Sequence, residues 1–331
     1  MKYLLGVDGG GSETRAAVVT DTYEVVGRGA AGASNHYVVG AEQAASNCAQ
    51  AAEDALVDAR RLVPDITREA VVAWGFGLAG VRRESDAAAV RPYLNRVVGN
   101  YPWTLDTDAA AAHSGAFAGG PGIILSAGTG AICLGIDEHG ERFYADGWGP
   151  LLGDDGSGYW MGSEALRAVC RAADGRGQAT RLTLPILSAL NVANCDALVQ
   201  FIYSDQCSRD QIARLSQVVL SMAEAGAQVA IAIRDRAVAH LGNTVAAAAR
   251  AMLTRVQERA GFAQPVPQEI SIALRGGLFD DDFLRASVGY IVGERMVELK
   301  RDFLPLASWR VVKPQLDAAG GAALLAQKLV S

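Results

Sequence analysis

Cysteine is scarce in this chain and poorly spaced for any joint task. Cys48, Cys133, Cys170, Cys195 and Cys207 are five in 331 residues, an odd number with no C-x-x-C pair. A disulfide framework or a zinc site is therefore not expected, and the thiols read as reduced and mostly buried. Histidine is scarcer still, with four in all. His113, His139 and His240 stand apart from any acid or cysteine cluster, and His36 lies beside apolar neighbours where packing is its expected role. No Ser-His-Asp or metal-ligand spacing results. Basic runs are missing too. Lys and Arg number 30 against 36 acids, a net charge of −6, which argues against a nucleic-acid surface and an anionic membrane. Long apolar runs are absent as well. The opening stretch reaches Asp8 too soon for a signal peptide, and the apolar segment "NTVAAAARAML" is broken by Arg250, so no run has the length of a membrane span. The expectation is a soluble, cytoplasmic protein with no nucleic-acid or membrane partner.

What is present is half apolar and one fifth charged, enough for a large core, and the length suits two domains. Residues 3–7 and 15–20 and the stretch "EVVGRG" read as strands with short connections, hence an antiparallel meander. Residues 41–62 are Ala-rich with helical spacing and stop before Pro64. "AVVAWGFGLAG" reads as a buried strand entering a Gly-rich turn, 84–98 as a helix, and "WTLDTDAAAA" as a strand opening a helix. Around "GGPG", at 119–122, the pattern restarts: strand "GIILS", turn "AGTG", strand "AICLGID", strand "ERFYADG". This echoes the opening and suggests an internal duplication. From 157 to about 260 the chain reads as mostly helical. A strand "EISIALRGG", a helix, a strand "WRVVKP" and a closing helix "DAAGGAALLAQKLV" follow. Strands alternate with helices, so the class is α/β, with a boundary expected near residue 118 between domains 1–118 and 119–331.

Several stretches carry chemistry. In Asp8-Gly9-Gly10-Gly11-Ser12-Glu13-Thr14, consecutive glycine N–H groups suit an anion, because glycine lets the backbone approach closely and adopt positive φ. Lys-Ser/Thr is missing after Gly11, so this is no Walker loop; a β-branched strand follows rather than a helix, so it is no Rossmann turn. Asp8, at the mouth, suits Mg²⁺ held through water. A ligand-free hairpin turn explains the same residues equally well. Ser126-Ala127-Gly128-Thr129-Gly130 repeats the device; facing the first loop across a cleft, it would grip a nucleotide from both sides. Asp106 and Asp108 share a strand face, and Asp108 opens a helix. There a carboxylate either caps the helix or takes the proton of a sugar hydroxyl during phosphoryl transfer. "DGWGPLLGDDGSGYWMG", residues 146–162, combines Trp148, Asp154, Asp155, Ser157, Tyr159 and Trp160, a set that suits a sugar. Core packing of the two Trp residues and capping by Asp155 or Ser157 is the plainer reading. Arg275-Gly276-Gly277 after a buried strand leaves room for a flat base, and Asn35 in "ASNHYVVG" is either a cleft amide or a turn residue.

Taken in order, "GVDGGGSET", "ASNHYVVG", "TDAA", "SAGTGA", "DGWGPLLGDDGSGYW" and "RGGLF" resemble the actin-like sugar kinase superfamily. The chain looks most like the N-acetylglucosamine kinase branch of the BadF/BadG/BcrA/BcrD ATPases. The resemblance implies two actin-like (ribonuclease H-like) domains, each with a mixed five-stranded sheet flanked by helices, with the active-site cleft between them. It implies ATP and Mg²⁺ as cofactors and a homodimer. By position it implies that Gly9, Gly10, Gly11 and Ser12 hold phosphates with Asp8 near Mg²⁺. Gly128, Thr129 and Gly130 would form the second phosphate loop. Gly158 would lie near the nucleotide, and Gly276 and Gly277 would face adenosine. Asn35, Asp108, Gly147, Trp148, Gly149 and Asp154 would contact the sugar, and Asp108 would be the base acting on the C6 hydroxyl. Three features depart from the family pattern: Ser-Glu-Thr replaces the usual Thr-Lys-Thr, Ala127 and Ala131 flank the second loop, and Arg275, able to stack on adenine, precedes Gly276.

The leading expectation is an ATP-dependent kinase of N-acetylglucosamine, with glucosamine next. The alternative is the activator-type ATPase of 2-hydroxyacyl-CoA dehydratase and benzoyl-CoA reductase systems, but no cysteine falls in or beside "GDDGS". A DNA-binding sugar sensor would need a helix-turn-helix before the first loop, where only seven residues stand.

Overall fold

The fold is that of a computed structural model, which describes residues 2–261, 263, 268–303 and 306–330. Strands β1 (Tyr3–Gly9), β2 (Thr14–Thr20) and β3 (Val25–Ala31) lead through a short helix α1 (His36–Val39) to α2 (Ala41–Ala59). Strand β4 (Val71–Leu78), α3 (Glu84–Val98), β5 (Trp103–Thr107) and α4 (Asp108–Phe117) follow. The five strands form one sheet in the order β3-β2-β1-β4-β5. The meander β1-β2-β3 is antiparallel, and β1, β4 and β5 run parallel.

Period-2 alternation assigns the two faces of β1. Leu5 and Val7 join Trp74, Phe76 and Leu78 under α2 and α3, where Ala51, Ala55, Val90 and Leu94 complete a buried core. Leu4 faces the other way, with Ala17, Val19 and Ala73, against Ala319, Ala323 and Ala326.

The second half repeats the plan. Strands β6 (Gly122–Ala127), β7 (Ala131–Ile136) and β8 (Arg142–Asp146) precede five helices: α5 (Gly158–Ala173), α6 (Thr183–Ala189), α7 (Cys195–Ile202), α8 (Arg209–Glu224) and α9 (Gln228–Ala260). Strand β9 (Gln268–Arg275), α10 (Asp282–Asp302), β10 (Leu306–Val312) and α11 (Ala318–Gln327) close the chain. The sheet order β8-β7-β6-β9-β10 matches that of the first sheet strand for strand, as the repeated motif suggested. Both sheets are mixed and five-stranded, as the resemblance implied. Among the described residues no single helix is long and apolar enough to cross a membrane.

The chain divides into two compact units, residues 1–124 with 313–331, and residues 125–312. The expected division, 1–118 from 119–331, differs in its boundary, which falls after 124, and in its last segment, because α11 packs on β1 and α4 of the first unit. The cause is small residues. A Cβ on Gly6 would lie 1.9 Å from the Ala319 carbonyl oxygen, and one on Gly75 would lie 1.8 Å from that of Ala322. Backbone meets backbone, and no side chain fits between.

Gly75→Ala is therefore expected to cost about 1–3 kcal/mol or more through overpacking. Gly289→Ala, inside α10 where an added Cβ meets nothing within 4 Å, should stabilise by roughly 0.5–1 kcal/mol. Urea unfolding of the two variants checks both signs; equal effects would remove the close-approach argument.

Candidate active site

In the first unit the carboxyl ends of three parallel strands carry the candidate residues. Asp8 pairs in register with Gly77, and Gly77 with Asp106. The two carboxylates therefore share a sheet face, two strands or ~10 Å apart by ordinary strand spacing. One residue on, Gly9, Leu78 and Thr107 align likewise, and Asp108 follows as the first residue of α4. Thr107 caps that helix, its hydroxyl accepting from the Ala110 N–H at 3.1 Å. Capping, the plain explanation for an acid at Asp108, is thus done by its neighbour. The Asp108 carboxylate accepts from the Ala109 N–H at 2.8 Å.

The three glycines of the first loop divide by function. A Cβ on Gly9 would lie 1.9 Å from the Ser34 hydroxyl and 2.6 Å from Leu78 Cδ2, so Gly9 serves packing. Gly10 donates to the Glu13 carbonyl at 2.9 Å, closing the hairpin, and its own carbonyl accepts from Ser34 and Asn35. An added Cβ at Gly11 meets nothing within 4 Å. None of the three has positive φ, so what they supply is a missing side chain rather than left-handed backbone. Asn35 is thereby tied to the loop. Its amide oxygen caps α1 by accepting from the Tyr37 N–H at 3.0 Å, and it lies against Gly80, whose Cβ would sit 2.9 Å from it. His36 packs on Tyr37 with ring centroids 4.2 Å apart, as expected.

Glu13 does not stand alone in the loop. Arg15 reaches it with Nε at 2.9 Å and Nη2 at 2.7 Å, and Arg15 pairs in register with Asp8. Its guanidinium is raised above its ordinary pKa, chiefly by the Glu13 hydrogen bond. The sequence reading passed over Arg15, since a single arginine in a strand carries no motif.

The second unit gathers the remaining candidates. Gly128 donates to the Gly130 carbonyl at 2.9 Å, and the carbonyls of Gly128 and Thr129 accept from Gly158 and Tyr159 at 2.8 and 3.2 Å. Ser157, not Asp155, caps α5 by accepting from Trp160. The α5 N–H groups are thus spent on the loop, and Gly158 brings helix and loop into contact. Gly276, at φ 109, approaches Ala127 so closely that a Cβ would lie 2.2 Å from its carbonyl oxygen, while a Cβ on Gly128 would lie 3.9 Å from the Gly277 nitrogen. Gly128, Gly158, Gly276 and Gly277 are therefore neighbours. The Ser126 hydroxyl, just before the loop, is buried with no hydrogen-bond partner. The Thr129 hydroxyl donates to Asp210 at 3.1 Å, so it meets a phosphate oxygen only after turning its proton.

The loop 146–157 is held from within. The Asp146 carboxylate accepts from the N–H groups of Gly147, Asp154 and Asp155 at 2.8, 2.7 and 2.9 Å. Gly147 and Gly149 have φ of 73° and 88°. Trp148 is 62% exposed, so its ring belongs to the surface rather than the core; Trp160 packs edge-on against His240. Asp154 is buried, at a φ of 58°, and paired with Arg209. Burial pushes its carboxyl up, against the opposing pull of Arg209 and of the Ala131 and Gly149 N–H groups. Arg209 and Asp210 escaped the sequence reading. The one available signal was Ser208…Gln211, a capping box that marks the start of α8.

These residues fit a nucleotide in one respect, the open space over Gly11. No group of three or more His, Cys, Asp or Glu among the described residues forms a metal cage. That suits Mg²⁺ carried by phosphates with few protein ligands, Asp8 being the candidate. Cys48 and Cys133 are buried, and burial pushes both thiols up, that of Cys48 to about 12, which leaves them poor thiolate ligands.

The pattern of the BadF/BadG/BcrA/BcrD ATPase family matches residues 5–326. The N-acetyl-D-glucosamine kinase of Dictyostelium discoideum is 29% identical over 231 residues, 68% of this chain and 72% of that protein. The N-acetylmuramic acid/N-acetylglucosamine kinase of Clostridium acetobutylicum is 29% identical over 231 residues, 67% of this chain and 71% of the relative. A crystal structure from Chromobacterium violaceum, of a protein whose N-acetylglucosamine kinase activity is itself an assignment, is 28% identical. It covers 98% of this chain and 99% of its own, with a TM-score of 0.73.

Gly9→Ala and Gly11→Ala should separate packing from ligand binding. Gly9→Ala is expected to lower the melting temperature by several degrees, at about 1–3 kcal/mol of strain. Gly11→Ala should leave melting unchanged and raise the KM for ATP about tenfold or more, by blocking backbone approach. Melting scans and ATP titrations of activity decide this; a destabilised Gly11→Ala would overturn the division.

Proposed function

The chain belongs to the BadF/BadG/BcrA/BcrD ATPase family, and from that premise we propose that it is an ATP-dependent sugar kinase that phosphorylates N-acetylglucosamine on its 6-hydroxyl. The observation that carries this reading is Asp108, placed at the end of β5 with the capping duty of its position taken by Thr107. The sugar kinases among its relatives supply the substrate class.

Asp108 accepts the proton of the attacking hydroxyl as its oxygen bonds to the γ-phosphorus and the bond from that phosphorus to the β,γ-bridging oxygen breaks, releasing ADP. Asn35, Gly147, Trp148, Gly149 and Asp154 hold the sugar: the exposed indole face covers its CH groups and the polar atoms meet its hydroxyls. The backbone from Gly11 and the Ser12 hydroxyl, in the hairpin that Gly9 and Gly10 shape, and the Gly128–Gly130 turn hold phosphates, and Gly276 and Gly277 lie along the adenosine. Mg²⁺, when bound, offsets phosphate charge, with Asp8 holding it through water.

Asp108→Asn should lower kcat by about 100-fold or more, the range of a lost general base, while the Kd values for sugar and ATP stay within about threefold. ADP release coupled to a reporter, with calorimetric titration of each ligand, measures both. Turnover at the parent rate would remove Asp108 from the mechanism. The same assay on N-acetylglucosamine, glucosamine and glucose should rank the first highest by kcat/KM; preference for glucosamine would reassign the substrate.

A further inference from the structure

The start of α8 breaks a local rule. Arg209 is its first residue, a cation at the end of a helix that favours anions. Asp210, next along, obeys the rule. Such violations are expected where another interaction compensates. Here the guanidinium pairs with the buried carboxylate of Asp154 and lies over the Tyr159 ring, 5.8 Å from its centroid.

Two backbone features exist to admit this pair. A Cβ on Gly130 would lie 2.8 Å from both Arg209 Nη2 and Asp154 Oδ2, so the glycine that closes the second loop also makes room for the ion pair. Asp154 is in the left-handed region, which costs an ordinary residue energy and persists only where its surroundings over-determine it. The N–H groups of Gly149, in the Trp148 loop, and of Ala131, in β7, also face the Asp154 carboxylate. One carboxylate therefore ties together α8, the second loop and the Trp148 loop.

We propose that Arg209 is a positioning residue for sugar binding: by holding the Asp154 carboxylate it fixes the 147–154 loop in its binding shape. This rests on the reading that those residues hold the sugar. Without Arg209, Asp154 becomes a buried carboxylate beside Asp146, whose charge opposes its ionisation. The charged groups facing it are Arg209 from α8 and Asp146 from β8. Removing the first leaves burial and the second, both of which favour the protonated form.

The test compares Arg209→Met, Arg209→Lys and Asp154→Asn. Arg209→Met should raise the sugar KM about tenfold or more with the ATP KM within about twofold, the signature of lost ground-state binding on one side. The acid limb of its kcat/KM profile for sugar should move up by about one pH unit, since the group that held the carboxylate ionised is gone. Arg209→Lys, which keeps the charge and loses the fork, should recover the pH profile and leave the sugar KM raised about threefold. Equal changes in both KM values, or a fall in melting temperature with both KM values and the acid limb unmoved, would make Arg209 a structural strut and overturn the inference. If Arg209→Met does not fold, Arg209→Lys decides alone: a parent-like sugar KM overturns the inference. Asp154→Asn separates the two levels. A raised sugar KM there with parent-like values in Arg209→Met defeats the inference only, whereas an unchanged sugar KM in Asp154→Asn defeats the sugar-site reading beneath it.

Discussion

The first unit depends on backbone lying directly on backbone. Gly6 and Gly75 admit α11 to the sheet, and Gly77 admits α4, since a Cβ there would lie 2.2 Å from that of Ala111. The two helices meet through Gly321, whose Cβ would lie 2.0 Å from the Ala111 carbonyl oxygen. Hydrogen bonds from the Gln315 and Leu316 N–H groups to the carbonyls of Ala116 and Gly115 then sew the C-terminal segment to the end of α4. Side chains in an ordinary core can repack around a change of volume; peptide groups in contact cannot. The position of α4, and with it that of Asp108, is thus set by the absence of side chains in two strands and one distant helix.

The same logic governs the opposite face. Gly27 and Gly29 approach α2, where a Cβ would lie 2.2 Å from the Ala55 carbonyl oxygen and 2.1 Å from that of Ala51. The alanine-rich stretch at 41–62, read from the sequence only as a helix, has its composition explained by this contact. Apart from the frayed ends, the element pattern was legible because each strand and helix carries its own periodicity, and α3 begins and ends at Glu84 and Val98 as read. Legibility failed where the reason lay elsewhere in the chain. Nothing in "DAAGGAALLAQKLV" says which sheet it covers, because its small residues fit any close partner. Gly9 looked like a phosphate residue because Ser34, which it must clear, is far away in sequence. Arg209 looked like one surface arginine among many, because Asp154 lies 55 positions before it.

Charge at the two loops shows how little of a site its motif contains. Glu13 puts a negative charge in the first loop, but Arg15 pairs with it from two residues on. Gly10 and Gly128 both spend their N–H groups on closing their own turns, and α5 spends its first N–H groups on the second loop. The groups proposed to meet an anion are then the backbone from Gly11 onward and the hydroxyls of Ser12 and Thr129, the latter turned toward Asp210. A loop arranged this way holds no standing excess of positive charge. On the proposed function, its grip on phosphate rests on backbone geometry rather than on net charge. The glycines keep that geometry open to approach, and the side chains around them keep it neutral.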